Sequence, residues 1–395
     1  TNEIGRNVMQ GGSRRSAMYG SMNWQHEDAQ DFLTIKNWTD EQKAAKAADF
    51  NAPAPLDMMN VSLNYDDAWL NDQDSEVFMT NVRQAMMTGE PGFSFNFGDK
   101  QNETLRNACC EVVSEDDSDV CNLSSVNMAN IESITEFNDV VRLVSKFLVC
   151  GLMRADLPYT KVYDVRKMNS RLGLGLMGMH EWLLKRGFKY EVNDELKRWL
   201  KVYRDESKRA ADSHASRFYL NLPKGYRAIA PTGTISMLAG TTSGIEPVFS
   251  VAYKRRYLTD GTKWKYQFAV DGTAEALIND GVEPTMIESA VDLALNPERR
   301  IKFQYDVQSY VDQAISSTIN LPEWGSELNN ESLVPQYAKW IKQYAKGLRG
   351  LTVYPNGSRG GQPITTVPYE EAVSKRGMIF EDNSEEQCLS GVCGI

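Results

Sequence analysis

Asn107-Ala108-Cys109-Cys110-Glu111 carries the densest chemistry in the chain. In an extended loop, residues at i, i+2 and i+4 share one side, so Asn107, Cys109 and Glu111 would face the same space. They would offer a hydrogen-bonding orienter, a reactive sulfur and a general base. Further on comes Cys121-Asn122-Leu123-Ser124-Ser125-Val126-Asn127. Cysteine is also a common core residue, so packed structural thiols are the competing reading of both segments.

Three more segments have suitable chemistry. Ala230-Pro231-Thr232-Gly233-Thr234-Ile235-Ser236 is a Pro/Gly turn with three hydroxyls after a strand-like run. Such a turn can aim N–H groups and hydroxyls at a phosphate, and its bland alternative is a hydrophilic turn. Gly244-Ile245-Glu246-Pro247 follows and would close the same loop. Gln10-Gly11-Gly12-Ser13-Arg14-Arg15-Ser16 joins glycines to paired arginines, as a mobile loop contacting anionic or planar ligands would, although a solvated basic turn reads the same way. The chain ends in Cys388-Leu389-Ser390-Gly391-Val392-Cys393-Gly394-Ile395, and two cysteines so spaced on a tail can form a disulfide and exchange it. Metal binding there would need further soft ligands, and His26, His180 and His214 all lie far away in sequence, so no metal site is expected.

The elements that position these segments are read from periodicity. Residues 133–153 put Phe137, Val140, Val141, Val144, Phe147 and Leu148 on one helical face behind a Ser133 cap. Residues 193–219 begin at an Asn193 cap and carry Leu196, Trp199, Leu200 and Tyr203 at helical spacing. Shorter helices are expected at 28–37, 75–88, 272–280, 305–318 and 331–346, with Gly89 and Gly347 as C-terminal glycines. Strands are expected at 61–63, 227–230 and 351–354. Short strands alternating with longer helices define an α/β class with many parallel strands. From about Ser374 the composition turns polar and acidic, so the domain is expected to cover 1–373 and a flexible redox-active tail 374–395.

Composition limits the function. With 395 residues, 42% hydrophobic and 24% charged, the chain has the make-up of a globular protein with a large core. A net charge of −10 argues against a nucleic-acid polymer as partner but leaves room for a nucleotide at a local anion site. No run of about eighteen apolar residues occurs, so no membrane span is expected. Thr1-Asn2-Glu3-Ile4 has neither a basic nor an apolar segment, and six sparse cysteines suit a reducing compartment; the expectation is cytoplasmic.

Taken in this order, the segments resemble the catalytic subunit of ribonucleotide reductase. Asn107, Cys109 and Glu111 match the family's Asn-x-Cys-x-Glu, and Cys121-Asn122-Leu123-Ser124-Ser125 matches its second buried cysteine. Pro231 through Ser236 matches the substrate-phosphate loop. Gln10, Gly11, Gly12, Ser13 and Arg14 resemble the loop that relays effector identity to the substrate site. Arg171-Leu172-Gly173-Leu174-Gly175 and Asp312-Gln313-Ala314-Ile315-Ser316 also look familial. The resemblance runs from residue 1 to residue 395. It implies the carboxy-terminal portion of a ten-stranded α/β barrel, built as two half-barrels with a central finger loop bearing the radical cysteine.

The resemblance also implies roles. A thiyl radical at Cys109 would abstract the ribose 3′ hydrogen, Glu111 would take the 3′-hydroxyl proton, and Asn107 would hydrogen-bond the substrate. Cys121 would be one member of the reducing thiol pair. Cys388 and Cys393 would re-reduce that pair and be reduced in turn by thioredoxin or glutaredoxin. Deoxynucleotide effectors, a missing amino-terminal part with the other reducing cysteine, and a homodimer are further implied partners. Members fed by a separate radical-generating subunit have two adjacent tyrosines on a strand near the site. Here Leu351-Thr352-Val353-Tyr354-Pro355-Asn356-Gly357-Ser358 puts valine at the first, and valine cannot carry a radical. The run is more similar to class II members, so adenosylcobalamin is the expected cofactor. The alternatives are a class I subunit, a non-catalytic fragment needing its amino-terminal half, or a thiol-disulfide oxidoreductase. The last would need a Cys-x-x-Cys, and the chain has none.

Overall fold

The computed structural model describes residues 2–10, 14–15, 18–48, 52–259, 263–358 and 364–381. Its frame is two groups of parallel strands. One is a five-stranded sheet in the order Thr318–Leu321, Gly350–Pro355, Gly92–Phe95, Met59–Tyr65, Met18–Asn23. All neighbours in it are parallel except Gly350–Pro355 against Gly92–Phe95. The other begins with Asn122–Asn127 parallel to Leu172–Met177 and continues through single parallel bridges, Leu174 to Arg227 and Ile229 to Ile315. The 313–316 row runs directly into Thr318–Leu321, so one stretch of chain joins the groups. Central strands of a parallel sheet are covered on both faces and read as unbroken apolar runs. Leu172–Met177 is accordingly buried at every position.

Helices cover this frame and fill two cores. Ile134–Arg154 and Asp194–Arg217 pack on the second strand group around Phe137, Leu148, Trp182, Trp199 and Tyr203. Both expected caps are present: Ser133 accepts from the Glu136 N–H at 3.2 Å and Asn193 from the Leu196 N–H at 2.8 Å. The other core packs Tyr65, Trp69, Phe78, Phe93 and Phe95 beneath Glu76–Thr88 and Val334–Tyr344. An antiparallel sheet of Ile364–Thr366, Ala252–Thr259, Lys263–Val270 and Ile379–Glu381 has a small core of its own.

Several sequence expectations shift. Helix 28–37 contracts to Ala29–Thr34, and 272–280 is Gly272–Asn279, capped by Asp271. Residues 331–346 form a 3₁₀ turn, the helix Val334–Tyr344 and a second turn. Phe147 is not on the buried face: it is 72% exposed, because the seam follows Phe137, Val141, Ser145, Leu148 and Leu152. Ser145 fits the seam by returning its hydroxyl to the Val141 carbonyl at 2.7 Å. The 305–318 helix is instead Pro297–Gln308. Val307, Val311 and Ile315 keep a spacing of four that mimics a continuing helix. However, the Gln308 amide donates to the Val311 and Gln313 carbonyls at 2.9 and 2.8 Å, which turns the chain into the extended 313–316 row. Arg227–Ala230 is an extended row with single bridges rather than a full strand. Ile379–Glu381 pairs with Lys263–Val270, so the compositional boundary at residue 374 falls before the last strand.

The two expected C-terminal glycines differ in kind. Gly89 has φ +86° and closes its helix with an N–H to the Ala85 carbonyl at 2.9 Å. Gly347 is there for space: a Cβ on it would sit 2.2 Å from a Tyr305 ring carbon.

Gly175, inside Leu172–Met177, permits a close approach of backbone on both sides. A Cβ on Gly175 would stand 2.8 Å from the Ala228 carbonyl oxygen and 3.1 Å from that of Ser124. Backbone atoms on both sides cannot step aside as a flexible side chain can. Gly175→Ala is therefore expected to cost about 1–3 kcal/mol, the usual range for overpacking. Gly233→Ala, with nothing within 4 Å, is the neutral control. Urea midpoints check this, and equal midpoints for the two variants would refute the close approach.

Candidate active site

The finger loop is a turn rather than the extended segment the spacing suggested. The Cys110 N–H bonds the Asn107 carbonyl at 2.9 Å, and Cys110 itself sits at φ +69°. The turn leaves Cys109 exposed and Glu111 buried. Asn107 Oδ1 accepts from the Val112 N–H at 3.1 Å, and Asn60 Nδ2 donates to the Ala108 carbonyl at 2.8 Å. The chief brace is Arg106, which escaped the sequence reading. It donates to Ser94 Oγ at 2.9 Å, Asn96 Oδ1 at 3.1 Å, the Arg349 carbonyl at 2.6 Å and the Cys110 carbonyl at 3.3 Å. Nothing in a single sequence marks Arg106, because three of its four partners lie on other strands or at their ends.

Cys121 stands at the head of Asn122–Asn127. Room for it comes from Gly173, whose Cβ would lie 2.9 Å from the Cys121 sulfur. Gln313 Nε2 donates to the Leu172 carbonyl at 2.7 Å and approaches the same sulfur at 3.9 Å. Burial, partly offset by Gln313 and Arg171, pushes the Cys121 thiol up to about 12. Burial also pushes Cys110 up to about 12, against the opposing Arg106 charge. Both remain protonated at neutral pH, a state that suits donation of hydrogen better than thiolate attack. The Glu111 carboxyl is raised by burial, with backbone and Asn107 contacts pulling the other way, and its Oε2 has no hydrogen-bond partner. A buried carboxylate with an unused oxygen and a raised pKa is disposed to act as a general base.

Thr232 and Ser236 anchor the 231–236 turn, which presents what lies between them. Thr232, at φ +56°, is buried and accepts from the Gly244 N–H at 2.8 Å. Ser236 is 1% exposed and shares a 2.7 Å hydrogen bond with Ser243. Gly233, Thr234 and Ile235 face outward at the start of the short helix Gly233–Ala239, and Pro231 opens the turn. A cavity of about 440 Å³ lies beside it, lined in part by Pro231, Gly233, Ser236, Thr242, Ser243 and Glu246. Glu246 is tied to Arg300 and accepts from the Thr318 N–H at 2.8 Å, whereas the contact that joins the 244–247 segment to the loop is the Gly244–Thr232 bond.

One backbone row ties these pieces together. The Ala314 N–H donates to the Glu111 carbonyl at 2.9 Å, and the Ile229 N–H donates to the Ala314 carbonyl at 3.2 Å. Ile229 lies two residues before Pro231, and Gln313 precedes Ala314. The 312–316 motif thus connects the finger loop, Cys121 and the 231–236 turn. Asp312 fixes the row by accepting from the Tyr226 and Arg227 N–H groups at 2.6 and 3.0 Å.

Other expected residues lie apart or outside the described residues. Gln10 and Arg14 face one another in a short antiparallel ladder ahead of Met18–Asn23, while Gly11, Gly12 and Ser13 lie outside the described residues. Cys388 and Cys393 lie outside them too. Cys150 is not part of the site; it meets His214 Nε2 at 3.3 Å between the outer helices. Val353 is 1% exposed and pairs in register with Ile319, and Tyr354 pairs with Asn320.

Residues 73–202 and 225–354 match the family described as ribonucleotide reductase, barrel domain, and the chain belongs to that family. It is 26% identical to the vitamin B12-dependent ribonucleoside-diphosphate reductase of Mycobacterium tuberculosis (strain CDC 1551 / Oshkosh), over 91% of this chain and 59% of that protein. It is also 26% identical to a putative adenosylcobalamin-dependent ribonucleoside-triphosphate reductase of Mycobacterium phage D29, over 99% of this chain and 62% of that protein. The chain therefore spans about three-fifths of the length of these curated relatives. A crystal structure of a B12-dependent (class II) ribonucleotide reductase superposes with a TM-score of 0.69 at 17% identity, over 95% of this chain and 55% of that one. The class Id ribonucleotide reductase alpha subunit of Actinobacillus ureae gives 0.63 at 17% identity, over 85% and 70%. The fold is thus the α/β barrel of this family.

Because burial raises the Glu111 pKa above its unfolded value of about 4.3, ionising it in the fold costs free energy. The stability it contributes is fully present below that value and is lost as pH rises through the folded-state pKa. Glu111→Gln removes the titration. Its urea midpoint should rise relative to the parent from acid toward neutral pH, and the two should converge in acid. A difference that opens toward acid instead would contradict the buried-carboxylate reading.

Proposed function

We propose that this chain is the catalytic part of an adenosylcobalamin-dependent ribonucleotide reductase that converts ribonucleoside diphosphates to 2′-deoxyribonucleotides. The observation that carries the reading is the Glu111–Ala314–Ile229 row, which sets the Asn107/Cys109/Glu111 loop, Cys121 and the 231–236 turn on one rigid frame. Gly233, Thr234 and Ile235 receive the substrate phosphates, on a turn that Pro231, Thr232 and Ser236 shape. Asn107 hydrogen-bonds the ribose, a thiyl radical on Cys109 takes the 3′ hydrogen, and Glu111 takes the 3′-hydroxyl proton. The 2′-hydroxyl leaves as water, using two electrons and protons from Cys121 and a second thiol that partners it. Cys388 and Cys393 restore that pair by disulfide exchange and are reduced by thioredoxin or glutaredoxin. Gln10 through Arg14 relays the identity of a bound deoxynucleotide effector.

The chain's residues suit the cofactor. Cavities of about 560 and 400 Å³ share Glu323 and Asn356 in their walls, and Tyr354 lines the second. Trp38, Trp324, Phe249 and Leu321 give them apolar surface, while Asn37, Asn320, Asn356 and Thr365 supply amides and a hydroxyl. That donor set suits a large planar ligand fringed with amides. Asn37, Asn320, Asn356 and Thr365 would hold adenosylcobalamin there, and the cofactor would supply the radical chemistry. Val353, buried beside Tyr354, argues against delivery along adjacent tyrosines.

The test is deoxynucleotide formation by the whole catalytic subunit that contains this chain, given adenosylcobalamin and no second subunit. Cys109→Ser should abolish turnover, since an alcohol O–H bond is too strong for the carrier. Tyr354→Phe should keep most of it. Turnover that requires a radical-generating subunit, or that vanishes in a well-folded Tyr354→Phe, overturns the cobalamin reading.

Thr234→Ala should weaken substrate binding by about 1.5–3 kcal/mol, roughly 10- to 100-fold, with a smaller effect on kcat. Equilibrium binding of ribonucleoside diphosphate and triphosphate measures this. An unchanged Kd for both would remove the phosphate from this turn.

A further inference from the structure

A cationic cavity lies away from the 231–236 turn. It has a volume of about 250 Å³ and is lined by Phe97, Lys100, Gln308, Lys346 and Arg349, among others. The three cations stand at three depths: Arg349 is buried, Lys100 half-buried and Lys346 exposed at the rim. The Arg349 side chain is only 8% exposed. Its Nη2 bonds Glu103 at 2.8 Å, but its Nε and Nη1 have no hydrogen-bond partner. Buried guanidinium N–H groups without acceptors are costly, so a native fold normally supplies one.

The surrounding charges do not supply it. Glu103 is shared with Arg171, whose Nη1 lies 3.8 Å from the same carboxylate. The Asp312 carboxylate is taken up by Arg227 at 2.9 Å, and Lys100 reaches only the Asp312 carbonyl, at 2.7 Å. Arg106 adds a further positive charge next to Arg349. Burial and then the Arg106 charge bring the Arg349 guanidinium down to about 10, and burial and the Arg349 charge lower Lys100. Arg349, Lys100 and Lys346 against Glu103 leave an excess of positive charge that one singly charged carboxylate would not balance.

We propose that this cavity is a binding site for a phosphate-class oxyanion, separate from the substrate-phosphate turn. The anion sits between Lys100 and Lys346 over Arg349. The site is coupled to the finger loop: Arg106 donates to the Arg349 carbonyl and to the Cys110 carbonyl, so an anion that fixes Arg349 also fixes the backbone next to Cys109.

The test uses the 395-residue chain in a Thr234→Ala background, which weakens the other phosphate turn, and does not depend on turnover. Inorganic phosphate is titrated by calorimetry and by thermal melting. Binding with a rise in Tm is expected, with sulfate competing and chloride not. Lys346→Glu, at the exposed rim where the fold is not at risk, and Lys100→Gln should each weaken binding at least ~10-fold. Ribose 5-phosphate separates the sources: equal binding identifies a phosphomonoester, and binding of inorganic phosphate alone identifies the free ion. The proposal is overturned by no heat and no Tm shift at tens of millimolar phosphate, or by binding undiminished in the Lys100→Gln/Lys346→Glu double variant.

Discussion

The hydrogen bond from the Ala314 N–H to the Glu111 carbonyl is the constraint on which the rest of the site depends. It is an ordinary backbone bond, worth about 1 kcal/mol in net stability. Its importance is positional. It holds a loop between the two strand groups to the row where those groups join, so the loop cannot shift without disturbing that row. The radical role proposed for the exposed Cys109 sulfur would call for such fixing, since a misplacement of about 1 Å can cost catalysis a hundredfold.

The same loop is braced by charge. Arg171 and Arg349 share Glu103, Arg171 is 1% exposed and also bonded to Asp119 at 2.9 Å, and Arg106 joins them by donating to the Arg349 carbonyl. Burying ions is expensive, and pairs of this kind often contribute little net stability compared with apolar packing. Here they act directionally. The planar fork of Arg106 reaches four separate groups at once, which no apolar side chain could do. The Met59–Tyr65 and Gly92–Phe95 strands meanwhile rest on a stacked aromatic core, with Phe93 and Phe95 rings 6.1 Å apart and Tyr65 within 6.0 Å of both. Packing gives this half of the domain its stability, and charge gives the loop its position.

Local signals were legible in the sequence, and long-range ones were not. Glu76–Thr88 and the caps at Ser133 and Asn193 could be read because a helix and its cap are written within a few residues. The 297–308 helix was misplaced because a spacing of four persists past Gln308, and only that side chain's bonds to the carbonyls three and five residues on reveal the turn. At the site, Asn107, Cys109, Glu111, Cys121 and the 231–236 segment were identifiable by residue type and order. Which of them face outward was not: Ser236 and Thr234 look alike in sequence, yet Ser243 turns one of them into a strut. Gln313 lay in a segment that had drawn attention, but its contact with the Cys121 sulfur spans 192 positions.

The strand Ile379–Glu381 fixes the point from which the reach of the last cysteines is counted. Its pairing with Lys263–Val270 fixes the chain at Glu381, and Cys388 follows seven residues later. A fully extended chain of that length covers about 25 Å, and the twelve residues to Cys393 cover about 40 Å. These distances bound a sphere around the edge of the four-stranded sheet. Chain length alone therefore limits which groups of the same chain Cys388 and Cys393 can meet, and a meeting within that limit is independent of how dilute the protein is.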